Sequence, residues 1–418
     1  MPGRLPILGL MILFLLQISL RQLMRFTCAT VAATAAVMTA LAATTLPSHA
    51  VGTDSQNYVT KAQRAILMDA GDGSVLFQHK PDELAPPASM SKLMTLALVF
   101  RGLKSGQLKT SDEILMSVNA WRKGGAPSGT SAMMVPVNTK VTLDELIKGI
   151  AIQSGNDACI AVAEAMSGSE ANFAKAMTEE ARRIGLTKST FTNSTGLHDE
   201  NHLMTARELA LLARHIISEY PDYYQVFGQK EFLYKKHKFY NRNPLLFLGI
   251  GTDGLKTGHT AEAGFGLVAS AVQEGKRLIV VVAGHANAEE RKTEAAKLLE
   301  WGFKSFSQVK IFDDGEIVGQ ARVWGGTRMY VPLSGKGEVK ISLPKYPANQ
   351  RLSAEIVYKA PLKPPVKKGD QVAVLKVMST SSAATEVPLY ATEDVEPAGV
   401  MRRGIDTLVL MALRRLAL

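Results

Sequence analysis

The sequence predicts an α+β domain, then a small all-β domain, and an amphipathic helix at the carboxyl end. Helical patterns fill the middle of the first domain and strand patterns stand at both of its ends, which is typical of an α+β fold. Short alternating strands replace the helices after residue 306. Residues 404–418 then carry apolar side chains at helical spacing, bordered by arginines.

Length and composition set the broad class of protein. The chain has 418 residues, more than one typical domain of about 100–200 residues. It is 46% hydrophobic and 21% charged, which excludes a disordered protein. The formal charge of +10 suits contact with an anionic polymer or lipid surface. The sequence has no dense Lys/Arg block interleaved with aromatic residues, so we expect no nucleic-acid partner.

Residues 1–50 read as a signal peptide with an amino-terminal extension. An apolar stretch at 32–43 follows a basic start at Met24 and precedes a small-x-small cleavage pattern at 48–50. We therefore expect translation to begin at Met24 and cleavage to occur before Val51. An uncleaved membrane anchor is the alternative, and in either case the body of the protein is exported.

The first domain spans residues 51–306 in this interpretation. It opens with a β-hairpin at 65–77, in which Asp and Gly residues form the turn. A strand pair at 264–271 and 277–283 and a helix at 288–303 close it. The segments with helical periodicity between them are 91–100, 143–150, 158–166, 171–184 and 205–217.

The second domain, residues 307–391, is predicted to be a β-sandwich. Val339, Ile341 and Leu343 alternate with polar residues, as one buried sheet face requires. The predicted strands are 328–333, 338–343, 352–358, 371–377 and 386–390.

Residues 392–418 are predicted to be a linker and a membrane-anchor helix. The apolar part is too short to cross a bilayer, which needs about 20 apolar residues. An interfacial helix fits better, because its apolar face enters the headgroup boundary while its arginines meet anionic lipid. The alternative is a helix that packs on the protein's own core.

The cysteine and histidine residues predict neither a disulfide nor a metal site. Of the two cysteines, Cys28 lies in the predicted leader, so only Cys159 remains in the mature chain. His198 and His202 have i, i+4 spacing, but they follow Thr195-Gly196, which indicates a loop. We therefore expect no metal and no cofactor.

The first element with chemical character is Ser89-x-x-Lys92. A helix that begins here puts both side chains on one face, with the hydroxyl near the amine. A serine becomes a nucleophile when a neighbouring base accepts its proton, and a lysine serves if it is held neutral. Neutrality requires a lowered pKa, from burial or from a nearby cation. Taken alone, such a serine is more often a helix N-cap.

The second element is Ser154-Gly155-Asn156. In this interpretation Ser154 relays a proton between Lys92 and a leaving amine. The side-chain amide of Asn156 aligns the peptide carbonyl of the substrate. The triplet alone is weak evidence, because Ser-x-Asn recurs by chance.

The third element is Lys256-Thr257-Gly258, just before a predicted strand. Lys256 supplies the cation that keeps the first lysine neutral and helps to hold an anionic substrate. Gly258 lets a strand edge approach the substrate closely. The backbone N–H groups of Ser89 and His259 then form an oxyanion hole.

Together and in this order, the three elements resemble the signatures shared by penicillin-binding proteins and serine β-lactamases. The residues around them, at 152–159, 241–243 and 253–260, are similar to low-molecular-mass D-alanyl-D-alanine carboxypeptidases. The resemblance covers the first domain, the β domain and the tail. It implies a β-lactamase/transpeptidase-like catalytic domain.

The resemblance also implies a reaction. Ser89 would form an acyl-enzyme with the penultimate D-alanine of a peptidoglycan stem pentapeptide, and water would hydrolyse it with Lys92 as base. Thr257 would bind substrate, and Arg291 lies where the family places a carboxylate-binding arginine. The alternative for Arg291 is an ordinary solvated helix residue, and Arg242 is a second candidate. Penicillins and other β-lactam antibiotics, which mimic the dipeptide, would acylate Ser89.

Two other functions compete with this one. A class A β-lactamase needs a Glu-x-x-Leu-Asn segment, and the nearest match, residues 208–212, lacks the asparagine. A non-catalytic envelope-binding protein would keep the fold but lose motif residues, all of which are present. The carboxypeptidase interpretation places the protein, exported and peripheral, at the periplasmic face of the cytoplasmic membrane. Its partners would be stem peptides and an anionic membrane surface.

Overall fold

The computed structural model describes residues 58–345, 352–379 and 382–416. The predicted signal segment, residues 1–50, lies outside the described residues, so its cleavage and the start at Met24 stay predictions. Within the described ranges the chain forms a mixed helix and sheet domain, an all-β domain and a terminal helix.

The helices and strands are numbered along the chain. The helices are α1 (Lys92–Lys104), α2 (Val118–Gly124), α3 (Leu143–Lys148), α4 (Asn156–Ser167), α5 (Glu170–Arg183), α6 (Ala206–Glu219), α7 (Pro221–Tyr224), α8 (Ala288–Ser305) and α9 (Val400–Leu416). The strands of the first domain are β1 (Arg64–Asp69), β2 (Val75–His79), β3 (Glu113–Leu115), β4 (Lys140–Thr142), β5 (Glu231–Tyr234), β6 (His237–Tyr240), β7 (Thr252–Thr260), β8 (Gly264–Gln273) and β9 (Lys276–His285). The strands of the second domain are β10 (Phe306–Phe312), β11 (Ile317–Arg322), β12 (Tyr330–Ser334), β13 (Val339–Pro344), β14 (Leu352–Val357), β15 (Gln371–Ser379) and β16 (Ser382–Ala391).

A five-stranded antiparallel sheet forms the centre of the first domain, in the order β2-β1-β9-β8-β7. Successive residues of a strand face opposite sides of the sheet. Ile66 and Ile279 accordingly join the core around α1, whereas Leu67 and Val280 pack against α8. The sheet therefore lies between two helical layers, and β7 is one of its two edge strands.

Helix α1 is buried along almost its whole length. Leu93, Leu96 and Phe100 are fully inaccessible to solvent. A helix that is apolar on all sides belongs inside a domain. Because α1 begins at Lys92, this burial carries a lysine into the interior.

The structure confirms the predicted hairpin, the predicted helices and the strand pair of the first domain. The triplet Lys256-Thr257-Gly258 precedes the predicted strand at 264, which is β8, but it also lies inside β7, a strand that sequence analysis did not predict. Strand β7 contains Gly254 and Gly258 and lacks apolar alternation, so its own strand propensity is low. Pairing with β8, which opposes Lys256 to Val268, holds it in place.

The second domain is all-β. A five-stranded sheet has the order β11-β12-β16-β15-β14, and β10 pairs with β13 in a second sheet. Ile341 of β13 and Leu375 of β15 belong to one hydrophobic core. Sequence analysis did not predict β10 and β11, most of whose residues are exposed or half-exposed.

Helix α9 follows the β domain. Asp406 is buried, and its Oδ2 accepts a hydrogen bond of 2.9 Å from the Gly325 N–H. Among the side chains of this helix that the structure describes, the exposed large apolar ones are Val400, Met401, Ile405, Leu408 and Met411. Among the residues that the structure describes, no helix combines the length and the apolar character needed to cross a membrane.

Candidate active site

Ser89 lies in a single 3-10 turn, Ala88–Ser91, directly before α1. Ala88 has φ of 49°, in the left-handed region that alanine rarely adopts. Gly196 packs against this turn so closely that a Cβ there would lie 2.0 Å from the Ala88 carbonyl oxygen. The N-cap positions are Pro87 for the turn and Ser91 for α1. Ser89 is therefore not the N-cap that its motif alone suggested.

Lys92 is within hydrogen-bonding distance of Ser89. Its Nζ lies 2.9 Å from Ser89 Oγ and also donates to the carbonyl oxygen of Thr195. The side chain is fully buried. Burial lowers the pKa of Lys92 to about 8; the charge of Arg242 acts in the same direction, and Cys159 opposes it. A substantial fraction of the amine is therefore neutral near pH 8.

Lys256 is the second buried lysine of the site, with 1% exposure. Burial and the nearby Lys92 hold its pKa well below the ordinary value, and Arg242 adds to this. The charge of Lys92 thus disfavours a proton on Lys256. That Lys256 is the charged member stays a prediction.

A π-helical turn, Gly149–Gln153, delivers the second motif to the site. It ends at Ser154, which has φ of 67° and is 2% exposed. Such turns within helices are frequent at functional sites. Helix α4 then begins at Asn156, whose backbone N–H donates to the Ser131 carbonyl oxygen over 2.7 Å.

The side-chain amide of Asn156 is only partly satisfied. Nδ2 donates to Thr130 Oγ1 over 2.9 Å, whereas Oδ1 is buried and has no partner among the described residues. The free atom is thus an acceptor, which suits a substrate N–H. The sequence predicted instead that Asn156 donates to a carbonyl of the substrate. That requires the side-chain amide of Asn156 to turn over, so that Thr130 Oγ1 donates to Oδ1 and Nδ2 becomes free.

Asp157 anchors the segment that carries Thr130 and Ser131. Its carboxylate is buried and accepts hydrogen bonds from the backbone N–H groups of Met133 (2.8 Å) and Val135 (3.3 Å). This holds one wall of the site against the start of α4.

Strand β7 passes directly beside the serine turn. A Cβ on Gly258 would lie 2.9 Å from the Pro87 carbonyl oxygen and 3.2 Å from Ala88 Cβ. Glycine is therefore required for this close approach. His259 follows on the exposed side, and its ring stacks on Phe265 with 3.8 Å between centroids.

These elements enclose a cleft of about 300 Å³. The lining residues are Ser89, Ser131, Ser154, Arg242, Thr257, Gly258, His259, Phe265, Ala288 and Arg291. Seven residues that the sequence offered as site candidates therefore line one cleft, and Lys92 lies behind its wall, in contact with Ser89. Asn156 and Lys256 are buried beside the lining residues Ser154 and Thr257.

Two arginines make the cleft positive. Arg291 lies in the first turn of α8, is 8% exposed, and its guanidinium is 5.8 Å from the centre of the Phe265 ring. It is therefore not an ordinary solvated helix residue. Arg242 donates to Ser131 Oγ over 2.7 Å.

Sequence reasoning did not find Thr130, Ser131, Thr195 or Phe265. The Thr195 carbonyl contacts Lys92 across 103 residues of chain, and such a backbone contact leaves no motif. The one signal for Thr195 was the Thr-Gly turn after Asn193, whose Oδ1 accepts the N–H groups of Thr195 and Gly196.

Two alternatives from the sequence can be compared with the structure. Glu208, the glutamate nearest to a β-lactamase signature, is buried in α6 and accepts hydrogen bonds from the backbone of Lys188 and Ser189. Its carboxylate therefore has a structural role away from the cleft. Within the described ranges, no group of three metal-ligating side chains occurs. His198 instead lies 3.9 Å from Glu262.

Comparison with known proteins gives counterparts for both domains. The family profile described as D-alanyl-D-alanine carboxypeptidase matches residues 51–287. The profile described as the C-terminal domain of penicillin-binding protein 5 matches residues 306–397. These matches cover most of the described chain.

Relatives and solved structures agree with the profiles. The D-alanyl-D-alanine carboxypeptidase DacC of Escherichia coli K12 is 37% identical, over 84% of this chain and 88% of its own length. The enzyme DacA of Haemophilus influenzae is 34% identical, over 84% of this chain and 89% of its own length. The crystal structure of penicillin-binding protein 5 from Haemophilus influenzae has a TM-score of 0.71 at 34% identity, covering 81% of this chain and 98% of that chain.

Proposed function

This chain belongs to the D-alanyl-D-alanine carboxypeptidase family, and we propose that Ser89 is the nucleophile with which it removes the terminal D-alanine of peptidoglycan stem peptides. The observation that carries the proposal is the 2.9 Å contact between Ser89 Oγ and the buried Nζ of Lys92. A neutral amine at that distance accepts the hydroxyl proton as the oxygen attacks. Ser89 lines the cleft, so its oxygen is accessible to a substrate.

The acylation step follows from this pair. Ser89 Oγ attacks the carbonyl carbon of the penultimate D-alanine, and its proton passes to Lys92. The N–H groups of Ser89 and His259 stabilise the oxyanion. Ser154 relays the proton to the amine of the departing D-alanine, which breaks the peptide bond. Water then attacks the ester, with Lys92 again as base, and hydrolysis frees the serine.

The positive wall of the cleft binds the terminal carboxylate. Arg291 and Thr257 both line the cleft, and an arginine guanidinium matches a carboxylate with paired donors. An anion bound there raises the pKa of the neighbouring Lys256. Lys256 then carries the proton of the lysine pair and disfavours protonation of Lys92. In this proposal, substrate binding itself keeps the base neutral.

The edge of β7 and Asn156 orient the peptide. Gly258 has no side chain to obstruct a substrate strand that lies along the sheet edge. The unpartnered Oδ1 of Asn156 accepts an N–H of the substrate, which satisfies a buried polar atom.

Release of D-alanine from a diacetylated Lys-D-Ala-D-Ala tripeptide tests the proposal. We expect the wild-type chain and the matched control Ser218→Ala, an exposed serine of α6, to release D-alanine. Ser89→Ala should release none, and release by this variant would contradict the assignment. Intact mass after penicillin treatment should show a long-lived adduct in every variant that keeps Ser89. Rapid loss of the adduct with hydrolysed penicillin would identify a β-lactamase instead.

We further infer that α9 holds the protein on an anionic membrane surface. Met401, Ile405 and Leu408 lie one turn apart along one side of the helix, and all three are exposed. Asp406, by contrast, contacts the β domain. Exposed apolar residues on one helix face, with Arg402 beside them, suit the interface of anionic lipid. The proposed location is peripheral, at the periplasmic face of the cytoplasmic membrane.

A further inference from the structure

The hairpin formed by β5 and β6 exposes two large apolar side chains to solvent. Residues opposite each other in an antiparallel pair share one face of the sheet. Phe232 and Phe239 form the inner face, and Phe232 is 8% exposed. On the outer face, Leu233 is 66% and Tyr240 60% exposed. Leu233 and Tyr240 flank the ion pair of Lys238 with Glu231 on this face, so the surface offers both apolar and charged groups to a ligand.

Lysines surround these apolar groups. Lys235 and Lys236 form the exposed tip of the hairpin, and Lys230 lies 5.7 Å from the centre of the Phe247 ring. Lys238 pairs with Glu231 over 2.9 Å. We call this surface the hairpin face; it consists of Lys230, Leu233, Lys235, Lys236, Lys238, Tyr240 and Phe247. It has four lysines, and Glu231 beside it is paired with one of them.

The hairpin that carries this face lies next to the catalytic cleft. Both strands contact the π-helical turn that ends at Ser154. Strand β6 runs on into residues 241–243, where Asn241 Nδ2 donates to the carbonyl oxygens of Phe227 and Gln229. Arg242, two residues after Tyr240, lines the cleft. The hairpin is thus fixed at the rim, next to the substrate.

We propose that the hairpin face binds the peptidoglycan polymer outside the cleft, contacting the sugar rings and carboxylates of the strand whose stem peptide Ser89 attacks. The proposal rests on the proposed function and adds a second contact with the same substrate. Exposed Tyr240 and Phe247 rings offer flat apolar surfaces to sugars, and the lysines attract carboxylates of neighbouring stem peptides. Lysine is depleted in protein–protein interfaces, which disfavours a protein partner.

Two pairs of substitutions test the surface. Lys235→Asn with Lys236→Gln removes charge, and asparagine tolerates the positive φ of Lys235. Leu233→Thr with Tyr240→Thr removes apolar area and keeps strand propensity. Each pair should lower the rate of D-alanine release from polymeric peptidoglycan about tenfold, a change of about 1.4 kcal/mol. Rates on the diacetylated tripeptide should change less than about twofold, because the tripeptide does not reach the hairpin. The effect of the lysine pair should shrink at high salt.

The control variant is Lys109→Gln with Lys175→Gln, two exposed lysines that do not line the cleft. It should behave as the wild type on both substrates. Equal losses on tripeptide and polymer would overturn the proposal, because the hairpin would then only support the cleft. Unchanged polymer rates would also overturn it, as would a selective loss of binding to phosphatidylglycerol vesicles.

A binding experiment separates this proposal from the proposed function. Co-sedimentation of Ser89→Ala protein with insoluble peptidoglycan requires no turnover. We expect the bound fraction to fall in the hairpin variants and not in the lysine control. If the wild type failed to release D-alanine yet this difference persisted, the catalytic assignment would fail and the surface would stand. Equal sedimentation of all variants would reject the surface alone.

Discussion

At the scale of single residues, the chemistry depends on the protonation state of Lys92. Burial lowers the pKa of its amine to about 8, and the positive charge of Arg242 contributes. The base form is the neutral one, so activity should follow deprotonation. We expect kcat/KM for the tripeptide to rise with pH, about tenfold per unit below 8, and to level off above it.

Replacing one arginine with a neutral residue should shift the pH range over which kcat/KM rises. In Arg242→Gln a positive charge that disfavours protonated Lys92 is lost, so the pKa of Lys92 should rise. The rise of kcat/KM should then occur at higher pH. Arg291→Gln is the matched control: its charge acts on Lys256, and it should lower kcat/KM at all pH values with a smaller shift. A larger shift in Arg291→Gln, or a flat profile in the wild type, would contradict Lys92 as the base.

The same scale shows what a sequence can reveal about a site. Ser89 and Lys92 are one turn apart, so local spacing predicted their contact. Arg291 was a candidate only through resemblance, and its place in the cleft depends on the packing of α8. Thr195 and Ser131 act through a backbone carbonyl and a common hydroxyl, and neither position has a distinctive residue type.

At the scale of elements, periodicity predicted helices and failed for β7. Helices α5 and α6 each have one buried and one exposed side. Their apolar residues therefore recur at helical spacing within the helix itself, where the sequence shows them directly. Strand β7 has buried residues in succession, from Gly254 to Gly258, although two of them are glycines. Its conformation comes from pairing with β8, the next strand along the chain, and from close packing on the serine turn, which is remote in sequence.

Helix α9 carries the prediction that belongs to this scale. Ile405→Gln with Leu408→Gln should release the protein from membranes, since both side chains are exposed and would otherwise enter the lipid interface. Loss of two such apolar groups should weaken binding more than about tenfold. Membrane sedimentation measures it. The matched control is Ile317→Gln with Val357→Gln, two apolar residues of similar exposure in the β domain. Release by the control alone, or by neither variant, would reject α9 as the anchor.

At the scale of the whole molecule, a buried polar cluster joins the two domains. Two carboxylates, Asp69 at the end of β1 and Asp72 in the turn after it, contact β13. Ser342 Oγ donates to Asp69 Oδ2 over 2.5 Å, and its backbone N–H donates to Asp72 Oδ2 over 2.9 Å. Lys276 lies nearby, and the two carboxylates oppose the fall in its pKa that burial causes. Ser342 thus binds both carboxylates across the domain boundary, and Lys276 Nζ donates to the carbonyl oxygen of Phe306 over 3.3 Å.

Ser342 is the position where this arrangement can be tested without touching the cleft. Ser342→Ala removes one of the hydrogen bonds to the fully buried Asp69 and leaves Gln308 Nε2, at 3.2 Å, as the remaining partner of Oδ2. Leaving a buried acceptor short of a donor costs about 1–3 kcal/mol. We expect a loss of that size in the free energy of unfolding, followed by tryptophan fluorescence, since Trp121 and Trp301 report on the first domain and Trp324 on the second. Ser353→Ala, at an exposed position of β14, should not change the free energy of unfolding.

The tripeptide activity of Ser342→Ala should equal that of the wild type, because the interface orients two domains and takes no part in the chemistry. A lower kcat with unchanged stability would show instead that the β domain acts on the cleft.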